Sequence, residues 1–142
     1  MASSRVLVRL VTAGLAVASV AACAHLPGGG GPNGPPVLEL TPTTGVTLTL
    51  GQPFTFTVTN NGTGPMDGDT FSTQVGGPAG VTHAVNQQDC SIGDLAVGDS
   101  CSVTTTPGGT LASPSSGTIK VSGSNSEGSS TSNTVTFALQ PA

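Results

Sequence analysis

The chain has 142 residues, 35% of them hydrophobic and only 7% charged, with 21 glycines, 11 prolines and a formal charge of −4. That length bounds it to one domain, and the acidic balance excludes nucleic acid, which needs a basic face. Low charge with modest apolar content often signals disorder, but the polar residues here are largely Thr and Ser, and Thr suits strands.

Arg5 and Arg9 precede Leu10 to Ala22, a run of 13 uncharged, mostly apolar residues. A membrane-spanning helix needs about 20 such residues, so residues 1–22 read as a cleaved export signal. The run ends Val20-Ala21-Ala22-Cys23, which resembles the bacterial lipobox. That resemblance implies that Cys23 is acylated and becomes the first residue of the mature protein. Two acyl chains anchor stably where one does not. Once the signal is gone, Lys120 stands alone against seven carboxylates, a balance of about −6 (one positive, seven negative).

Residues 23–36 carry the lipidated cysteine and a Gly/Pro-rich tether, Ala24-His-Leu-Pro-Gly-Gly-Gly-Gly-Pro-Asn-Gly-Pro-Pro36. Its 13 residues after Cys23 would span about 40 Å if fully extended. His25 within it reads as a solvated side chain.

Residues 37–142 carry short alternating runs separated by turn residues, the pattern of an all-β sandwich. Val37 to Thr41 opens the series, and Val46, Leu48 and Leu50 alternate with threonines in a second strand. Phe54, Phe56 and Val58 alternate with Thr55, Thr57 and Thr59 in the clearest strand of all. Asn60-Asn61-Gly62-Thr63-Gly64-Pro65 is expected to turn through positive φ. Phe71, Thr73 and Val75 form a fourth strand, and Val81 to Val85 a fifth. Cys101 to Thr106 is the sixth, Ile119 and Val121 mark the seventh, Ser122 to Thr131 reads as a polar loop, and Val135, Phe137 and Leu139 close the series.

Cys23 is assigned to the lipid, so Cys90 and Cys101 are left as an even pair. Paired as a disulfide they place the domain in an oxidising compartment. Such a bridge would stabilise the fold by about 3 kcal/mol in the chain-entropy model.

Three stretches carry a likeness: Phe56-Thr-Val-Thr-Asn-Asn-Gly-Thr-Gly64, Asp89-Cys90 with Leu95 to Val103, and Gly117-Thr-Ile-Lys-Val-Ser122. Together they resemble the bacterial Ig-like domains of the choice-of-anchor D group, within the broader ASPM/SPD-2/Hydin-like sandwiches. The resemblance implies an Ig-like β-sandwich of seven to eight strands with a hairpin disulfide. This chain departs from the group in having no second copy of the domain. Its Thr104-Thr105-Thr106-Pro107 replaces a Phe-x-Pro ending, so that strand is expected to be less buried. Fold travels with such a likeness; function does not.

Catalytic and metal constellations are sparse. His83 is the only histidine of the domain, and no Gly-x-Ser-x-Gly elbow accompanies it. Met66, His83 and Cys101 fall short of a copper set. Asp67 and Asp69 offer two carboxylates where calcium wants six to eight oxygens. Asp89, Asp94 and Asp99 read as turn residues. Asn61-Gly62-Thr63 matches a glycosylation sequon, and Ser122 to Thr134 is rich in hydroxyls. Sugar binding is disfavoured, because all four Phe sit in inward register and there is no Trp or Tyr.

The resulting expectation is a non-catalytic lipoprotein of the bacterial envelope that uses no cofactor, metal or evident small-molecule substrate. It faces the periplasm or the cell exterior, is held to the membrane through its N-terminal lipid, and binds or spaces. A protein partner would pair with an exposed sheet edge. The alternatives are an envelope enzyme or metal carrier built on His83, or an accessory factor for assembling a secreted polymer.

Overall fold

The computed structural model describes residues 34–142, which form two packed sheets. The strands are β1 (Leu38–Thr41), β2 (Val46–Thr49), β3 (Phe54–Asn60), β4 (Ser72–Gly76), β5 (Val81–Asn86), β6 (Ser100–Gly109), β7 (Ser115–Asn125), β8 (Gly128–Thr131) and β9 (Val135–Gln140). A 3-10 turn at Gly68–Thr70 precedes β4, and a single α-turn, α1 (Gln88–Ser91), follows β5. One sheet runs β1-β3-β6-β5. The other runs β2-β9-β7-β4, with β8 also paired to β7.

Alternation builds the core. Phe56, Val58, Val103 and Leu40 point inward from the first sheet, and Leu48, Ile119, Val121, Phe137 and Leu139 from the second; all are essentially inaccessible. Apolar residues on the inner faces drive the packing of the two sheets, as in any sandwich. The outer faces carry hydroxyls in cross-strand pairs: Thr55 with Thr104 at 2.8 Å, Thr59 with Ser100 at 2.7 Å and Ser72 with Ser122 at 2.9 Å. Such pairs help fix register without any charge.

The chain enters at one end of the sandwich, the pole from which β1 rises. Gly34–Pro36, the last residues of the expected tether, lie against the domain there. Asn125 donates from Nδ2 to the Gly34 carbonyl at 2.9 Å, and Pro36 is buried. Gly62 must be glycine because a Cβ would collide with the backbone of Pro35–Val37. The chain bends at Asn60–Pro65 as expected but without positive φ: among the described residues no non-glycine residue has positive φ, and Gly62 and Gly64 do not either. Close approach, not handedness, explains Gly62.

Other differences from the sequence reading have local causes. The stretch read as a polar loop is a hairpin, since β7 continues to Asn125 and returns as β8, which makes nine strands among the described residues rather than seven or eight. Its inward positions lack large side chains because Met66 reaches in from another segment and fills the space over Gly123. The strand expected to be less buried, Thr104 to Pro107, lies in the middle of its sheet, with Thr105 fully buried.

A candidate interaction edge and an acidic pole

Where the first half of each edge strand goes decides which backbone groups are left for a partner. On one side of the sandwich β1 pairs with β3 in one sheet. The chain then crosses, with a cis Thr41–Pro42 bond at the crossing, and β2 pairs in parallel with β9 in the other sheet. The outward groups of β1 are taken as well. Leu40 donates its N–H to Asn133 Oδ1 at 2.8 Å and accepts from Asn133 Nδ2 at 3.0 Å, and Leu38 donates to Ser130 Oγ at 3.1 Å. A carboxamide carries the same donor and acceptor as a peptide group, so Asn133 acts as one more residue of ladder. On this side the end strand of the first sheet is thus covered, while β2 ends the second sheet.

The opposite side is formed by β4 and β5. Pro107 stands across from His83, and its carbonyl accepts from Gly51 N–H at 2.7 Å on the far side of β6. The antiparallel alternation therefore gives the β5–β6 bonds to Thr82, Ala84 and Asn86 and turns the backbone groups of His83 and Val85 outward. On β4 the same logic applies. Val121 exchanges both backbone groups with Ser132, donating to Oγ at 3.0 Å and accepting from N–H at 2.8 Å. Thr73, opposite Val121, and Val75 two residues on thus face outward with their backbones. Neither strand carries a charge, a proline or a bulge, the usual protections of an edge.

Side chains on these two strands are also incompletely covered. Val75, Val81, Thr73 and His83 are half-buried, and Val85 is 38% exposed. Among the described residues, the buried side-chain atoms without a hydrogen-bond partner are Thr73 Oγ1 and His83 Nε2. The other ring nitrogen of His83 meets Thr105 Oγ1 at 3.3 Å, and the ring lies edge-on to Phe137 with centroids 5.7 Å apart. Burial lowers the His83 pKa below the usual imidazole value of 6.5.

The cysteines bond as expected: Cys90 and Cys101 form a disulfide that ties α1 to β6. Cys23 and His25 lie outside the described residues. Asp89 accepts from both the N–H (2.7 Å) and the hydroxyl (2.9 Å) of Ser102, which fixes α1 beside the bridge. Asp94 accepts from Gly68 N–H at 3.3 Å, where the 3-10 turn meets the Gly93 backbone too closely for any Cβ. Among the described residues no three His, Cys, Asp or Glu side chains gather to hold a metal. Asn61 of the sequon is exposed and donates to Glu39 at 2.6 Å.

The sequence reading missed Asn60. Its carboxamide is fully buried yet completely satisfied, accepting from the N–H groups of Val37 (3.2 Å) and Gly62 (3.0 Å) and donating to the carbonyls of Gly64 (2.9 Å) and Leu95 (3.0 Å). It therefore joins the incoming chain, the turn after β3 and the disulfide loop.

The strand directions gather all seven carboxylates at the chain-entry pole. Glu39 is near the start of β1, Asp67 precedes the 3-10 turn and Asp69 lies within it, Asp89, Asp94 and Asp99 lie around the disulfide loop, and Glu127 is in the β7–β8 turn. Among the described residues, the far pole, with the turns after β2, β4 and β6, carries no charged side chain. Four of the seven, Asp67, Asp69, Asp89 and Asp94, sit around the lower end of the open side, just before β4 and just after β5.

Among solved structures, the chain is similar to domains 4 and 5 of the S-layer protein SbsC, at 23% identity and a TM-score of 0.40, over 75% of this chain and 53% of that one. It thus spans about half the length of that structure. No protein-family model matches the chain, and no curated protein does.

Proposed function

We propose that the chain is a non-catalytic envelope lipoprotein. Cys23 carries the lipid, the following residues form the tether, and one sandwich, an Ig-like module of the choice-of-anchor D kind, is displayed for binding or spacing. The observation that supports this best is the docking of Gly34–Pro36 at one pole. The segment bearing the lipobox joins the domain at one end, and the open β4/β5 side runs lengthwise away from it. The seven carboxylates share that end. Facing an anionic lipid surface, they are repelled within a Debye length of about 8 Å, which holds the domain off the bilayer and its open side accessible. Partners are met through that exposed sheet edge, where backbone groups supply the affinity.

Mass spectrometry of the protein from native envelopes tests the reading. The expected species begins at Cys23 with acyl chains attached, and Cys23→Ala releases the domain from the membrane fraction. A chain that keeps residues 1–22, or begins elsewhere without lipid, would overturn it.

A further inference from the structure

The open side offers two edges, and one of them is the better receptor. β5 is six residues long against five for β4, and it ends beside the exposed Val85. A strand added to β5 finds the free backbone groups of His83 and Val85. Its inward-facing side chains would cover Val85 and the half-buried Val81. Resting on the proposal that partners meet this domain at its sheet edge, we infer that β5 is the receiving strand and that its partner is an extended segment with basic residues at the N-terminal end.

Charge sets that polarity. β5 runs from the pole without charged side chains, at Val81, down to Asn86; Asp89 and Asp94 follow it in the chain, and Asp67 and Asp69 lie in the turn segment that meets that loop through the Gly68–Asp94 hydrogen bond. Antiparallel pairing is the more stable arrangement per residue, so the incoming strand runs upward and its first residues lie among those carboxylates. Lysine or arginine there gains Coulomb attraction, while the remainder must be uncharged and alternate, apolar where it faces inward and polar where it faces water. A second copy of this chain fits less well. Each domain carries seven carboxylates against one lysine, so copies repel at long range, and neither β5 brings a positive charge to the other's acidic end.

The experiment uses the full chain, solubilised in detergent, and three synthetic peptides: Lys-Lys-Val-Thr-Val-Thr-Val-Thr, the same composition with both lysines at the C-terminal end, and the first peptide with Glu replacing Lys. Hydrogen exchange reads the amides of His83 and Val85, and titration reads affinity. The expected result is protection of both amides by the first peptide, binding about tenfold tighter than to the second and weakening with salt, with no binding of the third. Val85→Lys, an inward-pointing edge charge of the kind that blocks pairing, abolishes the protection. Should that variant unfold, the exchange pattern of the unmodified chain still decides.

Equal affinity for both lysine peptides, protection on β4 instead of β5, or no protection by any peptide overturns the inference. So does concentration-dependent self-association that itself protects His83 and Val85, because the edge would then belong to a second copy. None of these outcomes bears on whether Cys23 is lipidated, which the mass of the native protein decides separately.

Discussion

The two sides of this sandwich solve the same problem in opposite ways. On the β1/β2 side a single length of chain is shared between the sheets, β1 in one and β2 in the other, and the groups left over on β1 are taken by the side chains of Asn133 and Ser130. On the open side β4 and β5 each end their sheet, and nothing among the described residues takes the outward backbone groups of Thr73, Val75, His83 and Val85. The buried polar atoms without partners, on Thr73 and His83, are on the open side. On one flank the outward groups of β1 are hydrogen-bonded by side chains; on the other, those of β4 and β5 are left to solvent or a partner. A domain intended only as filler would gain by covering both.

What holds the open side in place is its lower end, where the disulfide and Asp89 pin the exit of β5 to β6. The largest effect should come from removing that pin. Cys90→Ala with Cys101→Ala, or chemical reduction, is expected to cost about 3 kcal/mol. Denaturant unfolding measures the loss. Native-state hydrogen exchange should show β5 opening before β1, and equal loosening of both flanks would contradict the role given to the bridge. The mirror experiment breaks the β1 flank. Asn133→Ala strips partners from both the N–H and the C=O of Leu40, and leaving such partly buried groups unmade costs about 2 kcal/mol. The same exchange measurement should now show a fast amide at Leu40 and leave His83 and Val85 as they were.

The difference between the flanks also marks how far the residues alone could be read. Strands with Phe, Val or Leu at every second position, above all Phe54 to Val58 and Val135 to Leu139, declared themselves, because a period of two with a large inward group has one physical reading. The hairpin of β7 and β8 did not, since its inward Gly123 is matched to Met66, in contact across the fold but far away in the sequence, rather than to a local pattern. Asn133 was equally hidden: its partner Leu40 is 93 positions distant, and an asparagine between Ser132 and Thr134 looks like any turn residue. Asn60 carried a usable signal. It continues the inward register of Phe54, Phe56 and Val58, so a carboxamide was bound to be buried and had to be satisfied. Of the open edge, the sequence shows only that β4 and β5 lack charge and proline; that they lie at the ends of their sheets is a property of the topology.

The smallest effect tests the open flank from its interior. Burial holds the His83 imidazole below its usual pKa of 6.5, so the folded protein resists a proton that the unfolded chain accepts. The unfolded state then binds more protons, and stability rises with pH across that interval. It is complete above about pH 7 and declines as the pH falls below 6.5 towards the lower, folded-state value. The ring is only partly covered, so the decline should be smaller than either loss above. Thermal unfolding of the full chain between about pH 7.5 and 5 measures it against His83→Gln, which keeps a polar group near Thr105 without a titrating ring. The wild-type curve should bend downward more steeply than that of the variant. Parallel curves would mean that the imidazole is as well hydrated in the folded protein as out of it, and that the inner side of β5 is already open to water. A bound strand that covers Val85 and shields the ring further should steepen the bend, which joins the titration of one histidine to the occupancy of the edge on which it sits.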